Sequence, residues 1–213
     1  MNGYFVTGTG TGVGKTYVTA AIARAARDAG QRVFAFKPIE TGCAWCDGKL
    51  VGSDQAILCE AAGSWQTGLL RGVYQFEPPV APAVASPTID LVRIHQAFLD
   101  GAACADLVLV EGAGGWRVPI TKTADMSTLA RDCGLPVIVV ATATLGTINH
   151  SLLTLEAVER DGLTVAALVL SRQPSDDSDV ATTNAREIST KWSGRVLIYA
   201  GNSQDLAMFS MQH

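Results

Sequence analysis

The sequence predicts an α/β fold: a mainly parallel sheet with helices on both faces. Three observations predict it. Apolar runs alternate with helical patterns over short connections along the 213 residues. The runs are apolar throughout, as in Asp106-Leu-Val-Leu-Val110, which suits strands covered on both faces. A glycine-rich turn, Gly8-Thr-Gly-Thr-Gly-Val-Gly-Lys15-Thr16, joins the first strand to the first helix, the context of a phosphate-binding loop. Together they make the expected fold P-loop NTPase-like, with ligands outside the carboxyl ends of the strands.

Taken in order, a first strand covers 2–7 and a helix runs from Lys15 to Ala29, with Val18, Ala21, Ile22 and Ala25 at the spacing of one helix face. Gly30 ends it, because glycine takes the left-handed conformation freely. A second strand, Arg32–Lys37, stops at Pro38. Residues 40–52 read as a loop, and Ser53 as the N-cap of a helix through Ala62. The four prolines of Glu77–Pro87 indicate an extended surface loop, followed by a helix over Ile89–Leu99 and the strand Asp106–Val110. Further strands are expected at 136–141, 164–170 and 195–200, and helices at 126–132, 147–160 and 179–191. No repeat or linker interrupts the chain, so residues 1–213 read as one domain.

Composition narrows the function. The chain is 48% hydrophobic and 17% charged, a globular balance. A formal net charge of −4 provides no basic surplus for nucleic-acid phosphates or an anionic membrane. Glycines and polar residues interrupt every apolar run before it reaches bilayer length, and the N-terminus lacks the pattern of a signal peptide. Five cysteines read as reduced thiols of a cytoplasmic protein, and the lone pair Cys43-Ala-Trp-Cys46 as incidental.

The phosphate loop carries the strongest chemical signal. Backbone N–H groups can surround a polyphosphate only where side chains stay out, hence the glycines. The helix start adds partial positive charge, Lys15 a mobile cation and Thr16 a hydroxyl for Mg²⁺. The loop is a variant, with five residues between Gly8 and Gly14 instead of four. Glu111, at the end of an apolar strand, falls at the same sheet edge. It suits either a metal ligand or a solvated strand end, and the following Gly112-Ala-Gly114-Gly115, which admits a ligand close to the backbone, favours the ligand. Asp54, taken alone, serves a helix dipole. Lys37 also ends a strand at that edge, equally a solvated lysine or a cation near transferred phosphate.

These residues resemble the dethiobiotin synthetases. Thr7-Gly-Thr-Gly-Thr-Gly-Val-Gly-Lys-Thr16, Lys37-Pro-Ile-Glu-Thr-Gly42, Val110-Glu-Gly-Ala-Gly-Gly115 and Leu145-Gly-Thr-Ile-Asn-His150 carry the likeness, with Gly52-Ser-Asp-Gln55 as a shorter fifth segment. The resemblance implies ATP- and Mg²⁺-dependent ring closure of 7,8-diaminononanoate with CO₂, in a homodimer with active sites at its interface. Mg²⁺ would be held by Thr16, Asp54 and Glu111, which reverses the reading of Asp54. Lys37 and Lys15 would be the catalytic lysines. Nucleotide would lie against Gly12, Val13, Gly14, Lys15, Thr16 and Tyr17, against Gly112, Ala113 and Gly114, and with its base near Ser171 and Arg172. Substrate would meet Thr41, the backbone of Gly112–Gly115 and, from the partner subunit, Asn149. His150 reads as structural and His95 as a helix-surface residue.

The chain departs from the family in three places. Position 12 is glycine where some members carry glutamate. The loop Pro79–Val84 has Ala81 and Ala83 beside Pro82, where the family often has Ser-Pro-His. Ser171 stands where many members read adenine with asparagine, which predicts weak nucleobase discrimination. The rival reading is an ATPase switch of the ParA/MinD kind. Its signature lysine would fall at Gly10, and the tail Gly201–His213 lacks the basic residues such proteins use. Amidase-type synthetases of the same fold would need a glutaminase domain, and an inactive paralogue would not keep Lys15, Thr16, Lys37, Asp54 and Glu111.

Overall fold

Each strand of the main sheet is apolar on both sides because helices cover both faces. The computed structural model describes residues 1–210, so His213 lies outside the described residues. In chain order, β1 (Gly3–Gly8) leads through the phosphate loop to α1 (Lys15–Asp28) and β2 (Val33–Phe36). Then come β3 (Ile39–Thr41), β4 (Ala44–Cys46), β5 (Lys49–Val51), α2 (Ser53–Ala61), β6 (Tyr74–Phe76), α3 (Pro82–Ala85) and α4 (Leu91–Ala102). The second half holds β7 (Leu107–Glu111), α5 (Met126–Cys133), β8 (Val137–Thr142), α6 (Thr147–Arg160), β9 (Val165–Ser171), α7 (Ser178–Ser189), β10 (Val196–Tyr199) and a 3-10 turn, Ser203–Phe209.

Six strands pair in parallel in the order β10-β9-β8-β1-β7-β2, bearing out the expected α/β architecture. Side-chain alternation splits the core in two. Phe5, Phe34, Phe36, Val108 and Val110 face α4 to α7, meeting Phe98, Leu129, Leu155 and Ile188. Tyr4, Val6, Val33, Ala35 and Leu109 face α1, α2 and the C-terminal turn, meeting Val18, Ile22, Leu58 and Phe209. Since the strands are parallel, Gly8, Phe36 and Glu111 end at one edge. Because β7 lies between β1 and β2, the phosphate loop, Glu111 and Lys37 become neighbours there. No helix among the described residues is long and apolar enough to cross a membrane.

Four local expectations are corrected. The segment 40–52 is not a plain loop: β3 pairs with β6, and β4 and β5 form a hairpin. Its turn, Asp47-Gly48, has φ of 49° and 73°, the two-residue turn that such a dipeptide favours. Ser53 is not an N-cap. It is the first helical residue, and the cap position falls on Gly52, whose backbone is extended. Residues 77–87 are not extended throughout, since Pro82 starts the single turn of α3. The helix expected over 89–99 runs from Leu91 to Ala102 instead, because the Asp90 carboxylate accepts from the N–H groups of Val92 and Arg93.

The chain after the glycine segment 112–115 is anchored at the end of α6. Trp116 Nε1 donates to Asp161 Oδ2 at 2.8 Å, and the Arg117 guanidinium donates to Asp161 Oδ1 at 2.9 Å. Against the upward push of burial, these bonds hold the Asp161 carboxyl below the usual carboxylate range. A folded-state value below the unfolded one contributes stability that is present above the unfolded pKa and lost as pH falls through the folded one. Asp161→Asn should therefore cost about 1–2 kcal/mol in urea unfolding at neutral pH, discounted for the exposure of Arg117. The difference from wild type should hold from about pH 8 to pH 5 and close below about pH 4.

Candidate functional site

At the carboxyl edge of the sheet a cavity of about 590 Å³ is lined by residues from α1, β3, α2, β7 and the two glycine-rich loops, and by Lys37 just after β2. The phosphate loop reaches it in a conformation that only glycine satisfies at position 14. There φ is 96°, and a Cβ would lie 2.4 Å from the Ser171 hydroxyl oxygen. Gly14 thereby packs on the end of β9 and starts α1, leaving the first N–H groups of the helix free to meet an anion.

Two lysines and two carboxylates meet in the cavity. The Lys37 ammonium is buried and donates to Glu111 Oε1 at 2.8 Å and, more closely, to Asp54 Oδ2. Burial works against its charge, but Glu111 and Asp54 outweigh that and hold the ammonium above the ordinary lysine range. Lys15 is also buried and donates to the Gly10 carbonyl at 2.9 Å. Burial pushes it down to about 8, opposed by Glu111. The Thr16 hydroxyl donates to Glu111 Oε1 at 2.8 Å. Glu111 Oε2 is fully buried and has no hydrogen-bond partner within the described residues.

That orphaned oxygen tests the site for a metal. Glu111, Thr16 and Asp54 present only oxygen donors, which suits a hard divalent cation such as Mg²⁺, and a buried carboxylate oxygen without a partner is costly unless a cation or proton satisfies it. These three residues fit the ion. The cavity also carries Arg24 with Lys15 and Lys37, so its cations outnumber its two carboxylates, a balance suited to a polyanion.

Of the residues singled out from the sequence, Gly12, Gly14, Lys15, Thr16, Tyr17, Lys37, Thr41, Asp54, Glu111, Ala113 and Gly114 line the cavity. Val13, Gly112 and Gly115 do not line it. Val13 is buried beneath the loop, and Gly115 lies where a Cβ would meet the Gly8 carbonyl at 3.4 Å. Ser171 and Arg172 are not in it either. Ser171 is buried behind Gly14, and the Arg172 guanidinium donates to the Asp176 carbonyl at 2.9 Å. Asn149 is exposed on the first turn of α6, beside the fully exposed Leu145, away from the cavity. His150 is exposed with its ring close to Gly146, and His95 is half-buried beside Phe98.

Sequence reasoning missed Thr11, Ala20, Arg24 and Ile57 in the lining, together with Glu40 and Gln55 behind it. Ala20 and Arg24 follow Thr16 at four-residue spacing on α1, a signal that was present but ambiguous between core and cavity. Tyr17 lines the cavity, and its ring lies 5.0 Å from that of Tyr199. Glu40 is buried, and burial raises its carboxyl against the pull of the Gln55 and Asp54 N–H groups.

Removing one member of a buried ion pair leaves the other charge uncompensated. Lys37→Ala and Glu111→Gln should each destabilise the protein by about 3–5 kcal/mol. The double variant should cost clearly less than the sum, because the partners fail together. Urea unfolding midpoints measure this, and simple additivity would mean that the pair is not coupled.

A family model described as an AAA domain matches residues 2–201. The ATP-dependent dethiobiotin synthetase BioD of Anaeromyxobacter dehalogenans (strain 2CP-C) is 44% identical over 195 residues, covering 89% of this chain and 85% of the relative. The enzyme of the same name from Aromatoleum aromaticum is 43% identical over 174 residues, covering 79% and 77%. Among solved structures, a ParA family ATPase from Chlorobium tepidum TLS superposes with a TM-score of 0.59 at 12% identity, over 100% of this chain and 99% of that one. The MinC:MinD cell division complex of Aquifex aeolicus gives 0.57 at 15% identity, over 99% and 94%. At such identities the structural likeness establishes the fold alone.

Proposed function

The chain belongs to the family of ATP-dependent dethiobiotin synthetases, and from that premise we propose that residues 1–213 act as one domain that closes the ureido ring of dethiobiotin in the cytoplasm. As a family member it is a carbon–nitrogen cyclo-ligase of biotin biosynthesis. The observation that supports the mechanism best is the convergence of Lys15, Lys37, Asp54, Glu111 and Thr16 in one cavity at the sheet edge.

One amine of 7,8-diaminononanoate captures CO₂ as a carbamate and releases a proton. The carbamate oxygen attacks the γ-phosphorus of ATP, ADP leaves, and a carbamic–phosphoric anhydride forms. The second amine then attacks the activated carbonyl and gives up a proton to solvent, the ring closes, and the bond from the carbonyl carbon to the phosphate oxygen breaks, so that phosphate departs. The attacking oxygen is already anionic, so phosphoryl transfer needs no strong general base, in keeping with a cavity that has no histidine in its lining among the described residues.

Each residue then has a physical task. Gly12, Val13 and Gly14 present backbone around the phosphates, and Lys15 and Lys37 bring two anions together and offset charge in the transition state. Lys37 is suited to this because Glu111 and Asp54 raise its ammonium above the ordinary lysine range against the effect of burial. Thr16, Asp54 and Glu111 hold Mg²⁺, which when bound neutralises charge on the triphosphate. Thr41 and the backbone of Gly112–Gly115 orient the diamine. Asn149 lies outside the cavity of its own chain, which fits a contact to substrate across a homodimer interface.

The ParA/MinD alternative rests on fold likeness. At the position of the signature lysine this chain has Gly10, whose carbonyl instead accepts from Lys15.

Purified protein given diaminononanoate, bicarbonate, Mg²⁺ and ATP should yield dethiobiotin by mass detection, and ATP hydrolysis without the cyclic urea would refute the reading. Lys37→Gln, which keeps a neutral donor, should lower turnover about 10²- to 10³-fold. Unchanged turnover would remove Lys37 from the mechanism. With Ser171 buried and Arg172 engaged, ATP, CTP and GTP should give turnover constants within about tenfold of one another, since Ser171 stands where many family members read adenine with asparagine. Strict ATP dependence would show that other groups read it.

A further inference from the structure

Glu40 has no task in that scheme, yet it is a buried carboxylate directly behind the site. It lies on β3, next to Thr41 and three residues after Lys37. Its Oε1 accepts from the Asp54 N–H at 2.8 Å and its Oε2 from the Gln55 N–H at 2.9 Å. These are first-turn donors of α2, which no side chain at Gly52 caps. Gln55 completes the link in the other direction. Its Oε1 accepts from the Lys37 N–H at 2.6 Å, and its Nε2 donates to the Ala35 carbonyl at 3.1 Å. Four hydrogen bonds therefore fasten Asp54 and Gln55, in the first turn of α2, to the chain over 35–40, with the Asp54 carboxylate against Lys37.

Gly52 supports this arrangement. Its φ is −84°, which any residue adopts, so the backbone does not call for glycine. The obstacle is Glu40. A Cβ at 52 would lie 2.2 Å from Glu40 Oε2, and its three nearest atoms all belong to that carboxylate. A serine, aspartate or asparagine at 52 is the common way to cap such a helix. The long-range cap buries a carboxylate, which is costly, and a local cap would avoid that. What the local cap cannot do is join α2 to β3.

We propose that Glu40 is a positioning residue for the metal–nucleotide site: by capping α2 from β3 it sets Asp54 at a fixed place relative to Lys37 and Thr41. This rests on the reading of Asp54 as a Mg²⁺ ligand.

The test separates positioning from helix stability. ATP binding to the full chain is followed by calorimetry while Mg²⁺ is titrated, and the melting temperature is measured in parallel. Glu40→Ala should raise the Mg²⁺ concentration for half-maximal tightening of ATP binding by about tenfold or more, the usual cost of losing support behind a metal ligand. ATP affinity without Mg²⁺ should stay within about threefold, because the phosphate loop is untouched. In Glu40→Ala/Gly52→Asn the space is cleared and a local cap is supplied, so the melting temperature should recover by about 3 °C while the Mg²⁺ midpoint stays high. If Glu40→Ala folds poorly, Glu40→Gln keeps one acceptor and should move the same midpoint by about threefold.

A Mg²⁺ midpoint that returns with the melting temperature in the double variant would reduce Glu40 to a helix cap and overturn the proposal. So would an unchanged midpoint in Glu40→Ala when wild type responds to Mg²⁺. A wild-type protein whose ATP binding ignores Mg²⁺ would instead refute the metal reading of Asp54, and the proposal with it.

Discussion

The Lys37 ammonium, enclosed between the carboxylates of Glu111 and Asp54, is the interaction on which the rest of this edge depends. Glu111 is wholly buried and Lys37 nearly so, and neither charge is tolerable in a dry interior without the other. Their pairing requires β7 to lie directly beside β2, and Thr16 to arrive from the helix after β1, which pairs with β7 on its other side. The strand order and the charge arrangement are thus one constraint seen at two scales.

Around that cluster the molecule spends polar groups on geometry. Glu40 fastens α2 to β3 and Gln55 fastens it to β2 and its end, and Asp161 holds the chain that leaves the 112–115 segment through Trp116 and Arg117. Two apolar layers, one on each face of the sheet, keep the strand ends in register, so that these polar links meet within hydrogen-bond distance. On the proposed reading the site brings two anions together and gains from such stiffness, since about an ångström of misplacement costs orders of magnitude in rate.

Fold and function separate clearly here. The parallel sheet is shared with a ParA family ATPase and the MinC:MinD cell division complex, at identities that establish the fold and no more. The distinction lies in what the other strand ends carry. Gly10 leaves the phosphate loop without the signature lysine, and Lys37 and Thr41 add a cation and a hydroxyl beside the phosphate site. On the proposed reading, these turn a hydrolytic cavity into one that delivers phosphate to a bound carbamate.

The sequence by itself determined the β/α alternation, the phosphate loop and the location of Lys37 and Glu111 at one edge. Those features follow from hydrophobic period and from strand ends, which neighbouring residues encode. Asp54 read alone as a helix-dipole residue, and only the family pattern moved it to the site. The tertiary structure decided what sequence-distant groups settle between them. Glu40 caps a helix that Ser53 was expected to cap, because the acceptor comes from another element. Ser171 is closed off by Gly14, a residue 157 positions earlier in the chain. Arg24 and Ile57 join the cavity because α1 and α2 pack side by side, which neither helix pattern reveals. Local preference is written in the order of the residues, but a contact between distant segments exists only after the sheet has brought them together.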